Sequence, residues 1–274
     1  MGLERSDKMP AQARGAKPRA GKPAPSAVAP APHPSEPGER LAKRVAALLA
    51  CSRREAEQYI EGGWVQVDGV VVEEPQFRVE RQTIAIDPDA SLLALAPVTL
   101  LLNKPAGVPW DQAASLLNAA SHWAQDGSAM RVLKHHFRKL ECAVPLETGA
   151  TGLMAFTQDW RTQRKLVEDL GAMEHELIAE VAGAVTPEAL ALIERLLRDE
   201  HLALPLAKVS VNSATPERSR LRFAVKGAHP GLVAHLCEQA RLPLTALRRI
   251  RLGRVALSDL PLGQWRYSGV GERF

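Results

Sequence analysis

Residues 39–74 read ERLAKRVAALLACSRREAEQYIEGGWVQVDGVVVEE, and their pattern decides the fold of the first ordered part of the chain. An apolar stripe at helical spacing comprises Leu41, Val45, Leu48 and Leu49. This spacing predicts a helix whose stripe faces a core. The opposite side of the same helix carries the basic residues Arg40, Lys43 and Arg44. We therefore expect a first helix with one buried face and one cationic face.

A second helix is predicted to begin at Arg53, because Ser52 followed by Glu55 is the pattern of a capping box. The Gly-Gly pair at 62–63 is expected to end it. The N–H groups and the positive dipole end of a helix N-terminus attract anions. The guanidinium groups of Arg53 and Arg54 at that end predict a phosphate-binding site, although exposed charges without a partner remain the alternative.

A hairpin pattern follows in WVQVDGVVV, residues 64–72, where Asp68 and Gly69 join two β-branched runs in a type I′ turn. Together with RLAKRVA and SRREAEQYI, it makes residues 39–90 resemble an S4 domain, a module of two helices and a hairpin that binds structured RNA. The resemblance implies a set of RNA contacts, which are Arg40, Lys43, Arg44, Ser52, Arg53 and Arg54.

The composition is compatible with two domains and a tail, because the chain has 274 residues. Its 35 Lys and Arg against 31 Asp and Glu give a net charge of +4, which favours a polyanionic partner. The cysteines, Cys51, Cys142 and Cys237, have neither disulfide-framework nor zinc spacing. Without a long apolar run or a secretory signal, the sequence predicts a cytoplasmic protein with no membrane partner.

Residues 1–38 form a basic, Pro- and Ala-rich segment without a periodic apolar face, and we predict that they are disordered. Their basic residues outnumber the acidic ones, so this tail is either a loose electrostatic arm on RNA or a solubilising segment without a partner.

Residues 97–274 alternate strand and helix patterns without a regular βαβ repeat, after a linker at 87–97. Strands are predicted in VTLLLNK, LMAFTQD, EHELIAEVAG, AKVSVNS and SRLRFAV, and a helix in DWRTQRKLVEDL. Thr186 and Pro187 are expected to open a second helix, and Pro230 a third. The predicted fold class is α+β, a small N-terminal domain followed by a domain with a mixed, mainly antiparallel sheet flanked by helices.

One carboxylate, Glu147, lies in VPLETGATGLM between a proline and a Gly-rich turn that precedes an apolar strand. Loops at strand ends often carry catalytic groups on a rigid scaffold. From the spacing alone, a candidate catalytic carboxylate and an ordinary surface turn are both possible.

The second domain resembles the RsuA-type ribosomal-RNA pseudouridine synthases in four blocks: the preceding S4-like part, LLLNKPAG, the Glu147 stretch and LTALRRIRLGRVALSDLPLGQWR. The resemblance runs from Glu39 to Glu272. It implies an intramolecular isomerase that cleaves the N-glycosidic bond of a uridine in structured RNA, foremost ribosomal RNA, rotates the base and rejoins it through carbon. It implies neither a metal nor an organic cofactor, and we expect a monomer.

The predicted site departs from the family pattern at three positions and in one segment. Glu147 stands where the family has its catalytic aspartate, which extends the carboxylate by one methylene. Pro145 stands in place of an arginine, and Leu177 in place of a tyrosine that lies under the target base. The family's basic segment before its last helix is here VKGAHPGLVAHL, with Lys226 as its one fixed charge.

These departures would affect both chemistry and binding of the base. An error of about 1 Å in the position of a reacting group can reduce a rate by about a hundredfold. Loss of the aromatic ring would also weaken base stacking.

Several family-matched basic residues are retained, namely Lys104, Arg248, Arg249 and Arg251. The resemblance implies that Arg249 lies beside the catalytic carboxylate, where it either pairs with Glu147 or serves as a structural or RNA contact. Lys104, Arg248 and Arg251 are assigned to RNA binding. The pair His135 and His136 is interpreted as RNA-facing or simply exposed.

Two functions are compatible with these observations. The preferred one is an RNA-binding protein of the synthase family whose catalysis is impaired or lost, because the departures cluster at the base-binding site. The alternative is an active pseudouridine synthase that uses Glu147 as its catalytic carboxylate. A module that contacts only proteins is disfavoured by the cationic face of the S4-like part.

Overall fold

The structure, a computed structural model, describes residues 38–90 and 96–274. The tail predicted at residues 1–38 therefore lies outside the described residues except for Gly38. Of the predicted linker at 87–97, residues 91–95 lie outside them as well.

Two short helices, α1 (Leu41–Leu49) and α2 (Arg53–Glu61), begin the described chain after strand β1 (Glu39–Arg40). The predicted capping box is confirmed. The Ser52 hydroxyl accepts a hydrogen bond from the Glu55 N–H at 3.3 Å, and the Glu55 carboxylate accepts one from the Ser52 N–H at 2.7 Å. This reciprocal pair fixes the start of α2 at Arg53, and Gly62 caps its C-terminus.

The apolar stripe of α1 is only partly buried. Leu41 and Val45 lie in the core that α1 shares with Ala56 and Ile60 of α2. Leu48 and Leu49, which were predicted to face that core, are 57% and 36% exposed. The prediction was wrong for this last turn because α1 ends at Leu49, and the core shared with α2 reaches only its first two turns.

A three-stranded antiparallel sheet follows the helices, with strand order β3 (Val70–Val71), β2 (Val65–Val67), β5 (Ile84–Ile86). Strand β4 (Arg78–Val79) pairs with β1. Asp68 and Gly69 have φ values of 51° and 80°. Positive φ at both central residues is the requirement of a type I′ turn, so the predicted hairpin is confirmed.

The larger part of the chain is built on an eight-stranded sheet. Its strands are β6 (Thr99–Lys104), β7 (Thr151–Thr157), β8 (Glu174–Ala182), β9 (Ala207–Ala214), β10 (Arg218–Lys226), β11 (Leu244–Leu252), β12 (Val255–Ala256) and β13 (Trp265–Tyr267). Their order is β13-β6-β7-β11-β8-β10-β9, with β12 paired to β11. Among the described strands of this sheet, β7 and β11 form the one parallel pair. The predicted mixed, mainly antiparallel α+β fold is confirmed.

Helices cover both faces of this sheet. One face packs against α4 (Pro187–Arg198) and α5 (Leu232–Gln239), the other against α3 (Trp160–Glu168). The Thr186 hydroxyl caps α4 by accepting a hydrogen bond from the Ala189 N–H, as predicted. Helix α5 begins two residues later than expected, at Leu232, because Gly231 with φ of 83° forms its N-cap. Within the two described ranges, no helix is both long and apolar enough to cross a membrane.

Arg131 joins the small N-terminal part to the sheet domain. Its guanidinium lies 4.6 Å from the centre of the Trp64 ring, donates a hydrogen bond to the Gly63 carbonyl at 2.7 Å and pairs with Asp87 at 3.3 Å. Three different interactions on one side chain fix how the two parts meet.

Candidate RNA-binding surface and catalytic site

A small cavity lies where the Glu147 turn meets strands β8, β10 and β11. The lining comprises Pro145, Leu146, Glu147, His175, Leu177, Val225, Ala228, His229, Pro230, Leu232, Val233 and Arg249. The cavity has about 20 Å³ of space open to water. Since one water needs about 10–15 Å³ by this measure, it has room for about one or two water molecules.

Gly152 explains how the Glu147 turn comes close to β11. It has φ of 112°, and a Cβ atom at this position would lie 2.2 Å from the Arg249 carbonyl oxygen. The close approach of β7 and β11 therefore needs glycine. The register pairs Gly152 with Arg249, which brings the start of β7 and the turn before it beside Arg249.

Glu147 is half-buried at the edge of the cavity. Its Oε1 atom accepts a hydrogen bond from the Gly231 N–H at 2.8 Å. The Glu147 carbonyl also accepts one from the Ala150 N–H at 3.0 Å, which closes the turn. The carboxylate is therefore held by the backbone that precedes α5.

Arg249 is 2% exposed and uses its guanidinium on the backbone. It donates hydrogen bonds to the carbonyls of Leu153 at 2.7 Å, Val144 at 2.9 Å and Pro145 at 3.2 Å. Burial lowers the pKa of Arg249 to about 10, so it stays charged at neutral pH. Within the described residues no ion pair joins Arg249 to Glu147. The sequence left open whether Arg249 pairs with Glu147 or makes structural or RNA contacts, and the contacts observed for its guanidinium are structural ones to the backbone.

Lys104 does not fit its predicted role as an RNA contact. Its side chain is fully buried, and Nζ donates to the carbonyls of Val108 at 2.8 Å, Pro105 at 2.9 Å and Thr148 at 3.2 Å. All three ammonium protons are used, and burial lowers the pKa of the group. Lys104 therefore ties the loop after β6 to the Glu147 turn.

The wall of the cavity opposite the Glu147 turn includes aliphatic side chains and one imidazole. Leu177 is buried on β8 and lines the cavity together with Pro145. His175, two residues earlier on β8, is 5% exposed, and its buried Nδ1 has no hydrogen-bond partner among the described residues. Burial, with the charge of Arg249 as a second cause, lowers the pKa of His175 to about 4, so the ring is neutral at neutral pH.

The remaining basic residues of β11 differ from each other. Arg248 is exposed and makes no ion pair with the described residues. Arg251 pairs with Glu174 and Glu176, each at 2.6 Å, and these contacts raise its pKa. Arg248 is therefore available to a phosphate group, whereas Arg251 would first have to leave two carboxylates.

The cationic residues of the N-terminal part form a groove. Arg40, Lys43 and Arg53 line it together with Arg78, which the sequence interpretation missed. Arg78 lies on β4, and its guanidinium donates to the Gly38 carbonyl at 2.7 Å. No periodic pattern marks Arg78, because its place in the groove depends on the pairing of β4 with β1.

Some of the basic residues predicted to contact RNA form exposed ion pairs with nearby glutamates. Lys43 and Arg44 share Glu39 at 2.8 and 3.9 Å, and Arg53 pairs with Glu57 at 3.1 Å. Arg54 is exposed and has no ion pair within the part of the chain that the structure describes. Exposed pairs of this kind contribute about 0–1 kcal/mol, so a phosphate can replace them at small cost. The hydroxyl of Ser52, by contrast, is engaged in the cap of α2.

The two histidines at 135 and 136 have different environments. His136 is buried, and its Nδ1 shares a hydrogen bond with the Tyr267 hydroxyl at 2.7 Å. The expectation that His136 is exposed or faces RNA was wrong, because the ring packs inside the sheet domain. His135 is half-buried beside Arg138 and Lys139 in a surface groove. No group of three or more His, Cys, Asp or Glu side chains suited to a metal ion occurs among the described residues.

Comparison with known proteins agrees with this architecture. The S4 domain family model matches residues 39–84. A chloroplast protein of Arabidopsis thaliana, provisionally named a ribosomal large subunit pseudouridine synthase, is 28% identical over 84% of this chain, which covers 58% of that relative. An RNA pseudouridine synthase of Aquifex aeolicus, named as uncharacterized, is 26% identical over 83% of this chain and 91% of its own length.

The fold has a solved counterpart. The crystal structure of a pseudouridylate synthase superposes with a TM-score of 0.50 at 18% identity, over 84% of this chain and 95% of that one. The N-terminal match and the fold of the sheet domain occur in the order that the sequence blocks predicted. The chain therefore carries an S4 domain match and is similar over most of its length to S4-domain-containing RNA pseudouridine synthases of the RsuA type.

Proposed function

We propose that this protein binds structured RNA, foremost ribosomal RNA, through its S4 domain, and that its ability to isomerise uridine is impaired or lost. The groove lined by Arg40, Lys43, Arg53 and Arg78 supports the binding part, because clustered guanidinium and ammonium groups neutralise phosphates. Arg54 adds an exposed cation at the N-terminus of α2, where the helix dipole also favours an anion. The name of the Arabidopsis relative refers to the ribosomal large subunit.

The proposed loss of catalysis rests on one observation. The Glu147 carboxylate is bound to the Gly231 N–H at 2.8 Å in a cavity of about 20 Å³. Enzymes that act on a base extrude it from the stack into an enclosing pocket. A cavity with room for about one or two waters does not admit a nucleobase without a change in its walls.

The lining of the cavity supports the same conclusion. Leu177 offers an aliphatic surface to a base, which lacks the geometry and electrostatics of aromatic stacking. Arg249 is committed to three carbonyls, so it does not hold the Glu147 carboxylate directly. The guanidinium of Arg249, a residue that matches the family pattern, therefore supports the backbone under the site.

An active synthase remains the second candidate function. Glu147 still lies at the cavity that Arg249 lines, and the Lys104 ammonium bonds to the Thr148 carbonyl in the same turn. Two positive charges, those of Arg249 and Lys104, therefore remain beside the turn that carries the Glu147 carboxylate.

The test combines binding and chemistry on one RNA. The full chain is titrated onto ribosomal RNA fragments labelled with tritium at uridine C5, and complex formation and tritium release are measured in the same samples. Binding without release supports the proposal. Release at a rate typical of enzymes, about 1 per second or faster, supports the second candidate instead.

Location and assembly are also proposals. We propose a cytoplasmic monomer, consistent with three free cysteines at Cys51, Cys142 and Cys237. Cell fractionation and size-exclusion chromatography with light scattering test the two statements separately. The Arabidopsis relative is described as chloroplastic, so the compartment can differ between relatives.

A further inference from the structure

Residues 227–231, which we call the strap, form part of the wall of the Glu147 cavity. Ala228, His229 and Pro230 line the cavity from the strap, facing Pro145, Glu147 and Leu177. The strap connects β10 to α5, so its two ends belong to rigid elements. Whether the cavity is open or closed therefore depends on five residues between two fixed points.

Hydrogen bonds hold both ends of the strap. Gly227 donates its N–H to the Met173 carbonyl at 3.0 Å, and Gly231 donates to the Glu147 carboxylate at 2.8 Å. The second bond differs from the first because its acceptor is a side-chain carboxylate instead of a backbone carbonyl. Hydrogen bonds to charged groups are roughly twice as strong as neutral ones.

Glycines at both ends give the strap a backbone that other residues adopt with difficulty. Gly227 has φ of 81° and Gly231 has φ of 83°. A Cβ atom on Gly227 would lie 2.7 Å from Nε2 of His229, so the bend brings this imidazole over the glycine. Residues that absorb large φ/ψ changes at both ends of a loop are typical hinges.

A buried polar atom lies in the wall that the strap covers. His175 lines the cavity, and its Nδ1 is buried without a hydrogen-bond partner among the described residues. Leaving a buried polar group unpaired is unfavourable. The bond from the Gly231 N–H to the Glu147 carboxylate holds the strap over this wall.

We propose that the strap is a cover that Glu147 latches shut, and that it keeps bases of bound RNA out of the cavity. This inference rests on the proposed function, because it explains why RNA held at the S4 surface would stay unmodified. The role of Glu147 is then to close the site rather than to react. The S4 groove and the cavity share no lining residue within the described ranges, so the cover and the RNA-binding groove are built from separate residues.

The latch is tested by hydrogen–deuterium exchange of the full chain, read on peptides that contain the strap. We expect Glu147→Ala to speed exchange in the strap by roughly 10- to 100-fold, the range of one hydrogen bond to a charged group. Glu147→Gln, which keeps a neutral acceptor, should give a smaller increase. Glu238→Ala, which removes an exposed carboxylate on α5, is the matched control and should leave the strap unchanged. Wild-type exchange in Glu147→Ala would overturn the proposal.

A second measurement covers the case that Glu147→Ala loosens the whole sheet. In a Leu177→Cys background, alkylation at position 177 is followed by mass spectrometry with and without Glu147→Gln. We expect slow labelling while Glu147 is intact and labelling at least about fivefold faster in the Glu147→Gln variant, since a neutral acceptor holds the strap less tightly. Equal rates would contradict the latch.

The covering role has its own test. Saturating ribosomal RNA fragment should leave exchange in the strap of the wild-type protein unchanged, and faster exchange on binding would overturn the exclusion of bases. Failure of the proposed function would be seen instead as absence of a complex in a gel shift, while strap exchange in the free protein would still respond to Glu147.

Discussion

Glu147 and Arg249 line one cavity without pairing, in the part of the chain that the structure describes. The Arg249 guanidinium donates to the carbonyls of Leu153, Val144 and Pro145, and the Glu147 carboxylate accepts from Gly231. Arg249 thus anchors the segment that leads into the Glu147 turn. The charge of Arg249 acts on Glu147 through space, while its hydrogen bonds shape the backbone under the site.

Replacement of Arg249 should cost stability. In Arg249→Ala, three buried carbonyls lose their donor, and each unpaired buried group costs about 1–3 kcal/mol. We expect the free energy of unfolding in urea to fall by at least about 3 kcal/mol. The neighbouring exposed residue gives the control, because Arg248→Ala should stay within about 0.5 kcal/mol of wild type. Equal stability of the two variants would refute the anchoring role.

Removal of Arg54 should weaken RNA binding through charge alone. Arg54 is exposed at the N-terminus of α2, so we expect Arg54→Ala to lower affinity for all structured RNA tested. The slope of log affinity against log salt should fall by about 1, the value for one lost phosphate contact. Arg164→Ala changes the same charge on α3, where Arg164 pairs with Glu168, and should leave the slope unaltered. A salt slope that does not respond to Arg54 would place the RNA elsewhere.

Local patterns predicted the elements of this fold well. The capping box of Ser52 and Glu55 and the turn at Asp68 and Gly69 were predictable because each involves residues within four positions of one another. Thr186 as the cap of α4 belongs to the same class. Short-range hydrogen bonds and φ preferences are properties of the local sequence, so a single sequence contains them.

The contacts that shape the candidate site could not be predicted in this way. The bond between Gly231 and Glu147 joins residues 84 positions apart, and the bond from Arg249 to Pro145 spans 104. Lys104 was assigned to RNA because it matches a basic residue of the family, yet the fold buries it against carbonyls. Such partners depend on the strand order of the sheet, which periodicity does not specify.

Mild acid should destabilise the protein through two buried histidines. Burial lowers the pKa of both His136 and His175 from 6.5 to about 4. Between these values the unfolded state binds more protons than the folded state, so stability falls as the pH falls from 6.5 towards 4. From pH 6.5 to 5, above most carboxylate titration, we expect a loss of about 1–1.5 kcal/mol for each histidine.

A variant pair assigns this loss to His175. In His175→Gln, the decrease in the free energy of unfolding between pH 6.5 and 5 should shrink by about 1 kcal/mol. His235→Gln changes an exposed histidine on α5 and should retain the wild-type profile. If His175→Gln loses as much stability as wild type over this range, His175 is not buried in its neutral form.

The attachment of the S4 domain should depend on Arg131. Arg131→Ala removes the contact with the Trp64 ring, the bond to the Gly63 carbonyl and the pair with Asp87. We expect a loss of about 1–2 kcal/mol in urea unfolding and faster amide exchange around Gly63 and Trp64. Arg161 lies 5.5 Å from the ring centre of the exposed Trp160, so Arg161→Ala is a control for a cation–π contact at the surface. Arg161→Ala should cost no more than about 0.5 kcal/mol, and a similar loss in both variants would argue against a specific attachment.

The most direct measurement is tritium release from ribosomal RNA labelled at uridine C5, with wild type, Glu147→Asp and Glu147→Gln compared at equal occupancy in a gel shift. If the protein binds RNA without isomerising uridine, all three proteins should form the complex, and wild type and Glu147→Gln should release no tritium. Any release gained by Glu147→Asp would report how much of the family's site survives. Release by wild type that disappears in Glu147→Gln would contradict the proposal and make Glu147 a catalytic residue.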